Sequence, residues 1–149
     1  MSRNILLVDD HASNLRLSEM AVTAAFGSDY DLYRVETYTE STELIQELPV
    51  DIALLDIELP DGDGLRLARQ VRQLSPDALI VILSVRDERD YFDLAYRAGA
   101  DAYITKPYNM QDVLSLFHDL STSQSPQSEG AMWVLFGSHG LTQYRSAAV

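Results

Sequence analysis

Apolar and polar positions follow two distinct patterns along the first 120 residues. Four short segments are wholly or largely apolar and are followed by polar or turn-forming residues, which is typical of β-strands, and a fifth, at 31–36, is about half apolar and shows the pattern more weakly. Between them, apolar residues recur every three or four positions, which is typical of amphipathic helices. The predicted strands are 4–8, 31–36, 52–56, 79–84 and 102–105, and the predicted helices are 13–26, 39–48, 64–74, 88–98 and 109–120.

Residues with known preferences for helix ends support several of these boundaries. Ser13 or Asn14 is the expected N-cap of the first helix, because either side-chain oxygen can accept a free backbone N–H. Gly27 and Gly99 are suited to end helices, because glycine adopts the left-handed conformation readily. In the first helix, the pattern predicts these core contacts: Leu15, Met20, Ala21, Ala24 and Ala25.

The alternation of strands and helices predicts an α/β fold. Parallel strands joined by helices need right-handed crossovers, so helices cover both faces of the sheet. The expected architecture is a doubly wound, five-stranded parallel sheet in a three-layer α/β/α sandwich. With the common strand order 2-1-3-4-5, the first and third strands are neighbours, and ligands bind at the carboxyl ends of the strands beside that point.

Reactive side chains stand at four of the predicted strand ends. Asp9 and Asp10 follow the first strand, Asp56 ends the third, Ser84 ends the fourth, and Lys106 follows the fifth. Because parallel strands end at one edge of the sheet, the expected strand order brings the three carboxylates together.

Three clustered carboxylates need a cation if all are to stay ionised. Two carboxylates about 4 Å apart repel by roughly 4 kcal/mol at an effective dielectric constant of about 20. Hard oxygen ligands favour Mg²⁺, Mn²⁺ or Ca²⁺, and Mg²⁺ is expected because it commonly joins one or two carboxylates to a phosphate. The alternative is that Asp9 and Asp10 only solvate a loop.

Lys106 and Ser84 extend this set toward phosphoryl transfer. A carboxylate nucleophile, a divalent metal, a lysine and a hydroxyl supply the alignment and charge stabilisation that this reaction needs. Lys106 is the only lysine of the chain, which is consistent with a specific role. The simpler alternatives are a salt bridge for Lys106 and an ordinary strand-ending residue for Ser84.

Composition narrows the class of protein. The 149 residues, 46% of them hydrophobic, suit one globular domain. The net charge of −12 argues against direct nucleic-acid binding and suits solubility or the docking of a basic partner. The sequence has no cysteine, no recognisable signal peptide and no apolar run near the roughly 18 residues of a membrane span. We therefore expect a cytoplasmic protein without membrane contact.

The sequence changes character after residue 121. Residues 122–130 are rich in serine and glutamine and predict a flexible linker. Residues 131–149 follow as a tail with an apolar run at 132–136, and they are too few to form a core of their own. We expect this tail to pack on the domain, to pair with another chain, to be the stump of an output domain, or to be a segment introduced by cloning.

Taken together, Asp9-Asp10, Asp56, Ser84 and Lys106-Pro107 resemble the receiver (response-regulator) domain of bacterial two-component signalling. The similarity covers about residues 4–120 of a predicted 1–121 domain and rests on the phrases ILLVDD, DIALLDIELPDGDGL, VILS and AGADAYITKP. Their order and spacing are highly specific, whereas any one of them alone would be weak. The resemblance implies the flavodoxin-like receiver fold.

The resemblance implies a chemical role for each acidic residue. Asp56 would be the phosphoacceptor. Mg²⁺, or Mn²⁺ in its place, would be bound by Asp9, Asp10, Asp56 and the backbone carbonyl of Glu58. The Glu58 side chain and Arg86 lie where the family varies its rate of dephosphorylation.

The resemblance also implies roles at the later strand ends. Ser84 and Lys106 would contact the phosphoryl oxygens. Tyr103 falls at the family's switch aromatic, whose ring swings inward when the hydroxyl residue moves toward phosphate, although an ordinary half-buried strand aromatic is the alternative. The Lys106–Pro107 peptide bond would be cis.

The function implied is a phosphorylation switch. The phosphoryl group would come from a sensor histidine kinase or a histidine phosphotransfer protein. Phosphorylation would alter the face formed by the fourth helix, fifth strand and fifth helix, which an effector protein, an output domain absent from this sequence, or a second copy would read. Such a domain is not an enzyme beyond catalysing its own phosphorylation and dephosphorylation.

Three other functions compete with this one. A degenerate receiver would act as a phosphorylation-independent binding module. A haloacid-dehalogenase-type phosphatase would need a second aspartate where Glu58 stands, together with a cap and later motifs that are missing. A flavodoxin-like FMN binder would need a glycine- or hydroxyl-rich phosphate loop where Asp9-Asp10-His11 stands.

Overall fold

A computed structural model of the chain describes residues 3–27, 29–122, 127, 130–136 and 140–145. Its helices are α1 (Ala12–Phe26), α2 (Tyr38–Glu47), α3 (Gly64–Leu74), α4 (Arg89–Arg97) and α5 (Met110–Thr122). Its strands are β1 (Arg3–Val8), β2 (Tyr30–Val35), β3 (Ile52–Asp56), β4 (Glu58–Leu59), β5 (Gly62–Asp63), β6 (Leu79–Ser84), β7 (Ala102–Thr105), β8 (Ala131–Leu135) and β9 (Leu141–Arg145).

The main sheet confirms the predicted α/β fold and strand order. Strands β2, β1, β3, β6 and β7 lie side by side and are all parallel, which is the expected order 2-1-3-4-5. The short strands β4 and β5 form a separate antiparallel hairpin directly after β3.

The prediction of five strands is wrong, because the described residues form a main sheet of seven. Strand β8 pairs in parallel with β7, and β9 pairs with β8 in the antiparallel sense. The physical reason is that the apolar run 131–135 satisfies the backbone groups along the edge of β7 and buries its own side chains against the sheet.

Two apolar cores lie on opposite faces of this sheet. Alternate strand residues point to opposite faces, so Leu6 and Val8 belong to one core whereas Ile5 and Leu7 belong to the other. Helices α2, α3 and α4 cover the first face, and α1 and α5 cover the second. The three-layer arrangement follows from this two-residue alternation.

Helix α1 differs from its prediction at its start and on its buried face. His11, not Ser13 or Asn14, is the N-cap, and no side chain caps the helix. Asp9 instead accepts a hydrogen bond from the His11 N–H (2.9 Å), which starts the helix earlier than expected.

The buried face of α1 is formed by these residues: Leu15, Ser18, Ala21 and Val22. Met20 is 58% exposed and Ala24 is also exposed, so both were wrongly predicted as core contacts. Successive residues of an α-helix are rotated by about 100° around the helix axis. Because Leu15 and Val22 face the sheet, Met20 points away from it.

Glycines end two helices as predicted. Gly27 has φ +84° and Gly99 has φ +100°, the left-handed region that side-chain-bearing residues avoid. The division into domain, linker and tail remains a prediction, because residues 1–2, 28, 123–126, 128–129, 137–139 and 146–149 lie outside the described residues. No helix in the described ranges is both long and apolar enough to cross a membrane.

Candidate functional site

The fold brings the predicted strand-end residues to one edge of the sheet. Asp9 directly follows β1, Asp56 is the last residue of β3, Ser84 is the last residue of β6, and Lys106 directly follows β7. Asp56 and Lys106 line a cleft of about 350 Å³ at the carboxyl ends of the parallel strands, where Asp9 contacts Lys106 and Ser84 directly precedes the lining residue Val85. The cleft is lined by Asp10, His11, Asn14, Asp56, Glu58, Leu59, Pro60, Val85 and Lys106.

Lys106 joins the two buried carboxylates of the cleft. Its ammonium Nζ lies 2.9 Å from Asp9 Oδ2 and 3.4 Å from Asp56 Oδ2. Burial lowers the pKa of Lys106, but its hydrogen bond to Asp9 and the charge of Asp56 outweigh burial, so the pKa lies above its usual value. Lys106 is therefore a fixed cation between two acids that come from neighbouring strands.

Asp56 lies in an environment that opposes its ionisation. Burial raises the pKa of its carboxyl group, and the charge of Asp9 adds to this effect. Lys106 and the Glu58 N–H, which donates to Asp56 Oδ1 at 3.1 Å, act in the opposite direction but do not cancel the rise. A cation placed against this carboxylate would complete the compensation.

Asp9, Asp10 and His11 form a cluster of side chains that can act as metal ligands. One ligand atom from each lies within 4.8 Å of the others. Asp10 Oδ1 is buried and has no hydrogen bond from the described residues, although His11 Nδ1 lies 3.0 Å away. A buried carboxylate oxygen without a donor fits a hard cation such as Mg²⁺. Asp56 faces the same cleft but directs its oxygens toward Lys106 and the Glu58 N–H.

The backbone after Asp56 is held against the start of α3. The Gly64 N–H donates to the Ile57 carbonyl at 2.8 Å. A Cβ atom at Gly64 would lie 1.8 Å from the Asp56 carbonyl oxygen, so only glycine fits at this position. This close approach fixes the backbone of Asp56 against the start of α3.

Ser84 and Tyr103 are connected through the backbone of Arg86. The Arg86 N–H donates to Ser84 Oγ (3.0 Å), and the Tyr103 hydroxyl donates to the Arg86 carbonyl (2.7 Å). The Tyr103 ring is fully buried and lies inward, and burial raises the pKa of its hydroxyl well above the usual value. The ring packs edge-on against Phe92 with centroids 4.8 Å apart.

A surface ion pair spans the mouth of the cleft. Arg86 Nε lies 2.6 Å from Glu58 Oε1, and the Arg86 guanidinium also lies over the Tyr91 ring at 5.6 Å. The side chains of Glu58 and Arg86 are 53% and 44% exposed, so water screens their attraction. The Lys106–Pro107 peptide bond is cis.

Sequence reasoning missed two contributions to this region. His11 was assigned no role from the sequence; it is exposed, yet its Nδ1 lies 3.5 Å from Asp9 Oδ1 and 3.0 Å from Asp10 Oδ1. Its position directly after the two acids is a signal that could have identified it. Phe92 was predicted only as part of a helix, and its contact with Tyr103 depends on how α4 packs.

The sequence profile of the response regulator receiver domain family matches residues 5–118 of the chain. The chain belongs to this family. Among its curated relatives, the transcriptional regulatory protein KdpE of Staphylococcus aureus is 33% identical over 113 residues, which cover 76% of this chain and 47% of the relative. The chain thus spans about half the length of that relative.

Solved structures agree with this assignment. A CheY-like response regulator receiver domain from Methanospirillum hungatei shares 28% identity with a TM-score of 0.70, covering 80% of this receiver chain and 93% of the other. The response regulator DrrB of Thermotoga maritima, an OmpR/PhoB homologue, covers 97% of this chain and 64% of its own with a TM-score of 0.73. At 21% identity, DrrB shows similarity of fold alone.

Proposed function

We propose that this receiver domain accepts a phosphoryl group on Asp56 from a histidine kinase or a histidine phosphotransfer protein. An Asp56 carboxylate oxygen attacks phosphorus, the bond from phosphorus to the donor imidazole nitrogen breaks, and that nitrogen keeps the electron pair. The observation that carries this proposal is Lys106 Nζ, which lies between Asp9 and Asp56 at 2.9 and 3.4 Å at the edge of an open cleft.

Lys106 and Ser84 are the polar groups expected to interact with the phosphoryl oxygens in this reaction. Lys106 offsets the negative charge that the phosphoryl oxygens bring, because its ammonium is already held beside Asp56. The Ser84 hydroxyl stands one register position beyond the strand pair Asp56 and Leu83, where it can donate to a phosphoryl oxygen. The chain catalyses only its own phosphorylation and dephosphorylation.

The residues present fit a divalent cation, with Mg²⁺ preferred and Mn²⁺ as the alternative. Asp9, Asp10, Asp56 and the backbone carbonyl of Glu58 would hold it, and the buried Oδ1 of Asp10, which accepts no hydrogen bond from the described residues, supports this assignment. When bound, the cation neutralises charge on the phosphoryl group and on the acids around it.

As a switch in a cytoplasmic two-component system, the domain passes its phosphorylation state to a partner. Ser84, beside the cleft, is linked through the Arg86 backbone to Tyr103 of β7, and the Tyr103 ring packs against Phe92 of α4. The reader is an effector protein, an output domain in a longer chain, or a second copy. Direct nucleic-acid binding by these residues is disfavoured by the net charge of −12.

Intact mass spectrometry after incubation with acetyl phosphate and Mg²⁺ tests the proposal. The wild type is expected to gain the mass of one phosphoryl group, and Asp56→Asn is expected to gain none because the amide is not a nucleophile. Asp77→Asn removes one exposed carboxylate away from the cleft and is the matched control, which should be labelled like the wild type.

The same experiment separates the competing binding-module function. A wild-type chain that folds and binds Mg²⁺ but never gains mass would be a degenerate receiver. Labelling that persists in Asp56→Asn would show that another residue is the acceptor.

A further inference from the structure

Strands β8 and β9 form a hairpin that lies along the edge of β7. Tyr103 is opposite Val134, and Ile104 is opposite Leu135, in parallel register. The Trp133 N–H donates to the Asp101 carbonyl (3.0 Å), and Thr105 Oγ1 donates to the Leu135 carbonyl (3.3 Å). The hairpin therefore occupies the sheet edge between α4 and α5.

Contacts with α4 fix the second strand of this hairpin. The Tyr144 hydroxyl donates to Asp93 Oδ1 at 2.5 Å, and the Arg89 guanidinium lies over the Tyr144 ring at 4.9 Å. Tyr96 packs against the same ring with centroids 6.1 Å apart. Tyr144 is only 6% exposed, so these contacts form a built interface with α4.

A row of aromatic rings connects the hairpin with the phosphorylation site. Phe136, which directly follows β8, packs edge-on against Phe92 at 5.6 Å, and Phe92 packs edge-on against Tyr103 at 4.8 Å. Tyr103 then reaches Ser84 through the hydrogen bonds that both residues make with the Arg86 backbone. Every step of this path is a direct contact.

We propose that the β8–β9 hairpin is an intramolecular ligand of the face formed by α4, β7 and α5, and that its docking is energetically coupled to phosphorylation of Asp56. This inference rests on the proposed function. Thermodynamic coupling between two sites is reciprocal. If docking of the hairpin changes the affinity of the site for a phosphoryl group by some factor, phosphorylation must change the docking equilibrium of the hairpin by the same factor.

The packing gives the direction of the coupling. With the hairpin docked, Phe136 supports Phe92, and Phe92 holds the Tyr103 ring inward with its hydroxyl on the Arg86 carbonyl. These contacts fix the backbone segment from Ser84 to Arg86 before phosphorylation. The entropy cost of ordering this segment on phosphorylation is therefore smaller. The docked hairpin therefore favours phosphorylation, and phosphorylation tightens the docked hairpin.

Calorimetric titration with beryllofluoride in the presence of Mg²⁺ measures this coupling, because beryllofluoride takes the place of the phosphoryl group. Phe136→Ala is expected to weaken binding about fivefold or more relative to the wild type. Leu141→Ala removes an exposed apolar side chain from the same hairpin but keeps the rings of Phe136, Phe92 and Tyr103, so it is the matched control that should bind like the wild type. Phe136→Leu keeps apolar volume and should be affected less.

Hydrogen exchange provides the reciprocal measurement. Beryllofluoride is expected to slow exchange of the Trp133 amide, which pairs with Asp101, in the wild type and not in Asp56→Asn. Equal binding by Phe136→Ala and the wild type within twofold, tighter binding by the variant, or unchanged Trp133 exchange would overturn the coupling. A wild type that binds no beryllofluoride and is never phosphorylated would instead overturn the proposed function, and the coupling with it.

Discussion

The carboxylate of Asp56, the proposed phosphoacceptor, lies in an unfavourable position for its own charge. It stands at the end of a strand whose five residues are all buried, and burial raises its pKa. Lys106 compensates part of this effect, but Asp9 adds a second negative charge. The proposed function would thus explain why a carboxylate occupies a position where a neutral side chain would be more stable.

We predict that Asp56→Asn unfolds at higher urea concentration than the wild type at pH 7 in metal-free buffer. Because the folded-state pKa of Asp56 is raised, its ionisation lowers stability as pH rises through that pKa, and this loss is absent below the unfolded value of 3.8. The difference between the two proteins should therefore shrink on acidification toward that value.

The control for this measurement is Asp77→Asn, which lowers the net negative charge equally but removes an exposed carboxylate. Mg²⁺ should narrow the difference at pH 7, because a cation compensates the charge of Asp56. A gain in stability that is the same for both variants would mean that net charge alone is responsible.

At the level of the elements, α3 illustrates how a helix end positions the site. Asp63 is its N-cap, with an extended backbone and a side chain that accepts a hydrogen bond from the Leu65 N–H at 2.8 Å. Gly64 then lies against the Asp56 carbonyl. The β4–β5 hairpin connects the two, so the loop after Asp56 and the helix start form one unit.

We predict that Asp63→Ala destabilises the protein by about 1 kcal/mol, because the Leu65 N–H loses its cap. Asp63→Ser keeps a capping oxygen and should retain most of the stability. Urea unfolding of both variants at pH 7 measures the difference. Equal destabilisation by alanine and serine would show that charge, not capping, is what Asp63 contributes.

In the molecule as a whole, the hairpin is part of both cores. Met132 and Val134 pack into the core beneath α2, α3 and α4, whereas Leu135 and Trp133 pack into the core beneath α1 and α5. The main sheet of the described residues is therefore continuous from β2 to β9.

We predict that the hairpin unfolds together with the rest of the domain in the absence of phosphorylation. Trp133 is the only tryptophan, so its fluorescence reports on β8 alone, whereas far-UV circular dichroism reports on all elements. The two urea transitions should coincide. A fluorescence transition at lower urea would show that the hairpin detaches before the domain unfolds.

Local patterns in the sequence were sufficient for the fold class and the family, whereas the order of the five parallel strands was adopted from the arrangement common to such folds. Buried strands appear in the sequence as apolar runs, and helix ends are marked by glycines such as Gly27 and Gly99. The carboxyl ends of parallel strands lie at the same edge of the sheet. Asp9, Asp56 and Lys106 could therefore be placed near one another without coordinates, because each directly ends or follows a strand.

Features that depend on packing between distant segments were not accessible in the same way. Which face of α1 is buried depends on how that helix lies on the sheet, so Met20 was misplaced. The N-cap depends on the Asp9 carboxylate, which accepts the His11 N–H across the loop. The docking of residues 131–135 on β7 depends on the pairing of two strands that a polar segment separates in the sequence. The row of aromatic rings from Phe136 to Tyr103 exists only once that pairing has formed. No local sequence pattern encodes these features, because the residues in contact are far apart in the chain.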